Sequence, residues 1–203
     1  MTRSGRLAGV WGWVFVVLLL LSAGMASTPS GQDPTSTVRD FYALHAGVVI
    51  TAQVIGLLAA AAFVPFALGL RPREGGRTRS ALEIAGLGVA AAAVLTAVPV
   101  LWLSVVAKDS GDSLVHGLAV TCDLTDVLLF ATIAVWATSV LKVARPSWFK
   151  GLAGIVALLA LARAVLLIVG SEELEVVSPL AFVLFVAVLS TLVLARRSPL
   201  VSP

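Results

Sequence analysis

Asp123 and Asp126 stand three residues apart in one apolar run, and Arg163 stands in the next. That spacing places both carboxylates on one helix face. A charge at mid-membrane costs from ~3 to more than ~10 kcal/mol, so such groups turn inward, pair, or reach water. Counted from the outer ends of their runs, Asp123 and Arg163 both lie about 12–14 Å deep, with Asp126 one turn deeper. The common depth predicts an Arg163–Asp123 ion pair, shared with Asp126 as a fork. Two carboxylates facing one guanidinium also leave one Asp available to hold a proton or a water, which is the chemistry of proton coupling.

Other polar residues fall at similar depth. Gln53 sits about 11 residues into its run and Thr96 about 10 from the outer end of its own. Pro99 leaves the carbonyl of Leu95 without its helical donor and predicts a kink beside Thr96. His45 lies above, near the outer mouth, and His116 lies one heptad before Asp123 on the same face. Together Asp123, Asp126, Arg163, Gln53, Thr96, His116 and His45 are the candidate residues of a polar cavity in the outer half of the chain. Plainer roles compete for each of them. An Arg–Asp pair can simply fix helix register, Arg163 can snorkel to the interface, and Cys122 suits small core filler. His45 and His116 suit the interface better than metal ligation, since they lie on different helices without compact ligand spacing; neither a metal nor a cofactor is expected. No nucleophile elbow, phosphate loop, metalloprotease helix or nicotinamide-binding glycine pattern occurs. The two aspartates share one helix opposite an arginine, unlike an intramembrane protease dyad drawn from two helices, so no catalytic residue is assigned.

Six apolar stretches must position these groups: roughly 8–26, 43–70, 80–106, 114–141, 150–170 and 176–195. Each is of the length, ~20 residues, that crosses ~30 Å of hydrocarbon. The gaps alternate in charge. Arg3 and Arg6; Arg71, Arg73, Arg77 and Arg79; Lys142, Arg145 and Lys150; and Arg196 with Arg197 mark one side. The other side holds Arg39 and Lys108 among Asp33, Asp40, Asp109, Asp112, Glu172, Glu173 and Glu175. The positive-inside rule then places both termini in the cytoplasm, and six spans let the alternation close. The fold class expected is an all-α, polytopic six-helix membrane bundle, one unit over residues 1–203.

Composition agrees. The 203 residues are 59% hydrophobic, with a mean hydropathy of +1.04, more apolar surface than a soluble domain of this length could bury. The net charge of +3 comes from short loops, where basic residues orient helices and meet anionic headgroups; nucleic acid is a poor partner. The longest polar stretch, about 27–42, is a loop and leaves no place for a soluble domain. A single cysteine excludes an intrachain disulfide. Arginine outnumbers lysine 11 to 3, a bias suggestive of a GC-rich bacterial genome.

The first run has a second reading. Arg3 and Arg6, the apolar run from Val10 to Leu21 and then Gly24-Met25-Ala26 also fit a leader cleaved after Ala26. Trp11 and Trp13, placed as an inner-interface anchor, favour a retained helix. Trp148 is expected at that same interface, with Phe41, Tyr42 and Trp102 at the outer one. Arg71-Pro72-Arg73-Glu74-Gly75-Gly76 reads as a turn, Ser113 as the N-cap of span four, Pro146 as its end, and Ser178-Pro179 as the start of span six. The tracts Ala59 to Ala62 and Ala90 to Ala93 predict close packing of spans two and three. His45 to Gln53 and His116 to Asp123 share a faint pattern, suggestive of a duplicated hairpin.

Several of these residues also carry a family likeness. Asp33-Pro34 with Val38, Phe41-Tyr42 and His45; Asp123-Leu124 with Leu128-Leu129-Phe130; Pro146 and Trp148 with Gly151 and Gly154; and the Arg196-Arg197 end together resemble a family of small bacterial integral membrane proteins of unknown function. The likeness covers roughly 170 residues from Asp33 onward. Ser147 and Phe149 depart from it beside Trp148. It implies six helices in a bacterial cytoplasmic membrane and supplies no activity. The functional expectation is a membrane protein whose outward-facing polar cavity binds or moves a small polar or amphipathic solute. The alternatives are a non-catalytic accessory subunit that docks on a membrane complex or on a second copy, its Arg–Asp pair structural, and, more remotely, an intramembrane enzyme using Asp123 or Asp126.

Overall fold

The computed structural model describes residues 3–25, 28–70, 77–171 and 173–195. The turn at Arg71 to Gly76, the cleavage position at Ala26, Glu172 and the Arg196-Arg197 end lie outside the described residues, as do the side chains of Arg3, Arg77 and Arg79. Six helices follow in order: α1 (Arg3–Ala23), α2 (Thr35–Gly69), α3 (Arg77–Val106), α4 (Asp112–Val143), α5 (Ser147–Ile168) and α6 (Val177–Leu194). There is no strand among the described residues. All six are long and apolar enough to cross a membrane.

Large apolar side chains point outward on every helix, and Leu44, Ile84, Val105, Leu158 and Ile168 are each more than two-thirds exposed. In water such a surface would aggregate; in lipid it is the solvated face. Hydrophobic burial therefore gives these helices little reason to associate, and close packing must hold them. The interior shows it. Trp136 sits among Phe63, Phe66, Phe182 and Phe185, with ring centroids 5.3–6.3 Å away. Ala59, Ala60, Ala62, Ala90 and Ala92 are buried while Ala61 and Ala91 are exposed, so most of each alanine tract in α2 and α3 faces inward. A Cβ added to Gly12 would collide with Ser190 and lie 2.8 Å from the Phe66 ring, so only glycine lets α1 settle between α2 and α6. Hydroxyls that lack other partners donate to carbonyls of their own helix, as Thr51 does to Gly47, Thr138 to Ala134 and Ser190 to Val186, which satisfies them without water.

Each helix packs on its sequence neighbours, and α6 returns to α1, closing a ring; α2 also touches α4. Neighbours run antiparallel: Ala8 meets Gly69 while Ser22 donates to the Ala52 carbonyl, and Gly86 meets both Ala67 and Trp136. Alternate loops therefore share one end of the ring. Arg6, Lys142, Arg145 and Lys150 lie at one end; Asp33, Asp40, Asp109, Asp112, Glu173 and Glu175 lie at the other with Arg39 and Lys108.

Helix boundaries depart from the apolar runs mainly in α2, which begins at Thr35 rather than near residue 43. The polar turn containing Arg39 and Asp40 stays helical because Val38 and Tyr42 pack on Leu103, Val115 and Leu118 in a second core cluster. Tyr42 is consequently buried, not an interfacial anchor. Arg39 ties this extension down. It forms an ion pair with Asp112 and donates to the carbonyls of Ala107 and Ser110. Two cap assignments also change. Gly111, not Ser113, is the N-cap of α4. Val176 precedes α6, whose Ser178 hydroxyl is buried without a partner. Pro146 is the N-cap of α5, and α3 continues through Pro99.

The consequence for function is a step. At the acidic end α2, α3 and α4 project beyond α1, α5 and α6. Ser22, near the end of α1, pairs with Ala52, a full 17 residues after α2 begins. Residues 28–34 of the α1–α2 connection fill that step.

Candidate functional site

The connection does not take the short route from α1 to α2. It crosses the acidic end of the ring to α4, where the backbone N–H of Gly31 donates to Oδ2 of Asp123 at 3.0 Å. The Ser30 hydroxyl reaches the same oxygen at 3.3 Å, and the Ser30 N–H donates to Asp33 at 2.9 Å. Gly31 is pressed onto α4: a Cβ there would lie 2.8 Å from Asp123 Oδ2 and from the Val120 nitrogen. Beside it, Gln32 packs on Gly170, whose φ of +72° belongs to the left-handed region that glycine adopts without strain. The strap thus runs between α4 and the α5–α6 turn.

Beneath the strap is a cavity of about 580 Å³. Its upper wall carries Ser30, Asp33, Asp123, Asp126, Arg163 and Glu175. Its lower wall is apolar, with Phe15, Leu129, Phe130, Ile133 and Phe182. On α4 the positions Asp123, Asp126, Phe130 and Ile133 follow the 3–4 spacing of a single face, so one helix supplies both the polar mouth and the greasy floor.

Arg163 is the most buried charge described, 7% exposed. The expected ion pair is not made. Its Nη1 donates to the carbonyls of Ser171 at 2.9 Å and Glu173 at 3.1 Å, and neither aspartate comes within ion-pair distance. The reason lies at the end of α5. That helix stops at Ile168, and the turn after it doubles back over Arg163 with carbonyls that have no helical donor. A guanidinium satisfies two such carbonyls better than it could reach across to α4. Asp123 finds its partners in the strap instead. Two groups remain uncommitted. Among the described residues none donates to the Asp126 carboxylate, and Nε of Arg163 is buried with no hydrogen-bond partner.

Of the seven candidate cavity residues, the structure brings Asp123, Asp126 and Arg163 around one cavity, and Gln53, Thr96, His45 and His116 do not line it. Thr96 donates its hydroxyl to the Ala93 carbonyl on its own helix. Gln53 is half-buried beside Ala52, the α1-facing position of α2. His45 is exposed, stacked on Phe41, with Nδ1 3.0 Å from the Phe41 carbonyl. His116 is exposed because α4 at that height has outrun α5. Unforeseen contributors are Ser30, Gly31 and Asp33. Their signal was a connection between adjacent helices much longer than the three residues that join α4 to α5, a length that short loops do not need.

Comparison with protein-family models, with curated proteins and with solved structures gave no significant match. The family likeness thus adds nothing finer than the structure itself: the described residues form six apolar helices and no strand, a multi-pass membrane protein by architecture.

Proposed function

We propose that this protein binds a small amphipathic solute in the cavity under the α1–α2 strap, entering from the acidic end, with the basic ends of the helices in the cytoplasm. The observation that carries this reading is the pair of uncommitted groups, Asp126 and Arg163 Nε, at the polar top of a space whose floor is apolar. Leaving the buried Nε unmet costs ~1–3 kcal/mol, and a ligand that accepts from it while meeting Asp126 recovers that cost. The charge asymmetry supports the orientation by the positive-inside rule. The volume falls within the ~300–1,000 Å³ typical of small-molecule sites. The accessory-subunit alternative read the Arg163–Asp pair as structural; Arg163 instead holds the turn between α5 and α6.

The test is thermal stabilisation in lipid nanodiscs. Wild type and Ala93→Trp, whose side chain would fill the cavity that Ala93 lines, are screened against small amphipathic solutes. At least one solute raises the Tm of wild type and not of Ala93→Trp, as linkage requires. Equal behaviour of the two proteins toward every solute would remove the proposal.

A further inference from the structure

Resting on the solute-binding reading above, the geometry points to a specific ligand class: an amphipathic organic cation that seats its charged group at Asp126 and its apolar body on the aromatic floor. The cavity wall holds four carboxylates, Asp33, Asp123, Asp126 and Glu175, against one guanidinium, Arg163. The commitments of these groups sharpen the imbalance. Asp33 and Asp123 accept hydrogen bonds from the strap. Arg163 has spent Nη1 on two carbonyls. What remains is Glu175, exposed at the mouth, Asp126, which is partly buried and accepts from no described residue, and the Nε–Nη2 edge of Arg163, whose Nε is fully buried without a partner.

An anion could reach the Nε–Nη2 edge of Arg163 only past four carboxylates, in a medium of low polarity where repulsion is little screened. A neutral molecule would offer the Asp126 carboxyl no counter-charge. A cation meets Asp126 directly, and the rings of Phe15, Phe130 and Phe182 below offer it π faces. The buried Nε asks the same ligand for one acceptor, such as a hydroxyl, ether or carbonyl oxygen. From Asp126 to Ile133 the α4 face descends seven residues, about 10 Å, the length of an amine carrying one aromatic ring. The ligand class is therefore a single-ring or short-chain amine or quaternary ammonium, distinct from a lipid, whose two chains would not fit.

The experiment measures equilibrium binding of three probes of matched size to the full chain in lipid nanodiscs, with empty nanodiscs subtracted: benzyltrimethylammonium, benzenesulfonate and benzyl alcohol. The cation binds at least tenfold more tightly than the other two, Asp126→Asn lowers its affinity at least tenfold, and Asp126→Glu retains most of it. The wild-type comparison alone decides the question should Asp126→Asn fail to fold. Three probes binding alike, with Ala93→Trp abolishing all of them, would overturn the charge preference and leave the solute site standing. A sulfonate that outcompetes the ammonium would do the same. No probe binding wild type, together with no solute distinguishing it from Ala93→Trp in the thermal screen, would overturn both readings.

Discussion

Gly31→Ala isolates the strap's hold on α4. Gly31 is not among the positive-φ residues, so alanine is tolerated by the backbone and would by itself stabilise by ~0.4–1 kcal/mol through the unfolded chain. Space decides otherwise. The new Cβ would lie 2.8 Å from Asp123 Oδ2 and the Val120 nitrogen and 2.9 Å from the Ala119 carbonyl carbon. Relief to ordinary contact requires a shift of roughly 0.6 Å, which carries the Gly31 N–H beyond hydrogen-bonding range of Asp123. A charge-assisted bond of this kind contributes ~1.5–3 kcal/mol; the longer bond from Ser30 is lost with it and adds little. The net loss is about 1–2 kcal/mol. Equilibrium unfolding in mixed micelles measures it. A second readout is built in, because Cys122 is the single cysteine and lines the cavity: alkylation by a water-soluble maleimide accelerates several-fold in the variant. In an Asp123→Ala background the cost of Gly31→Ala shrinks, since the two act as one contact. Unchanged stability with unchanged alkylation, or a cost that is fully additive with Asp123→Ala, refutes the latch.

Four further outcomes follow from the same geometry. Gly170→Ala costs about 1–2 kcal/mol through its left-handed backbone alone, since the nearest atom to a new Cβ, on Gln32, stands at an ordinary 3.5 Å; micelle unfolding checks it, and a neutral result contradicts it. Arg163→Lys loses about 1–2 kcal/mol because one ammonium replaces a fork that spans two carbonyls. Expression and unfolding of Arg163→Asp are not restored by adding Asp123→Arg, and restoration would mean the ion pair does form. Trp136→Phe stays within about 1 kcal/mol of wild type, because removing a buried, unpartnered N–H offsets the cavity left by the smaller ring.

Depth was legible in the sequence and azimuth was not. Helix rise fixed the level of Asp123, Asp126 and Arg163, short connections made α4 and α5 neighbours, and all three line one cavity. Counting assigns no direction. Gln53 and Thr96 share the level, yet one residue along a helix turns it by about 100°, and which side faces the ring depends on partners the sequence does not display. The start of α2 shows a second limit. Polarity at Arg39 and Asp40 marks where lipid ends, whereas the helix continues as long as Val38 and Tyr42 have something to pack on. The strap shows a third. Ser30, Gly31 and Asp33 read locally as an irregular polar loop, and nothing within residues 27–37 reveals that they lie 92 or so positions from their partner on α4. The same long-range contact explains the missing ion pair: Asp123 was already supplied with donors.

Sided alkylation of Cys122 bears on the whole picture at once, because it asks whether water reaches the cavity and from which end. In sealed vesicles of either orientation, a membrane-impermeant maleimide should modify Cys122 from the face that carries the acidic loops, faster in Gly31→Ala and slower in Ala93→Trp. Modification only from the face of Arg6, Lys142 and Lys150, or none from either face even in Gly31→Ala, would contradict a solute site that opens opposite the basic ends.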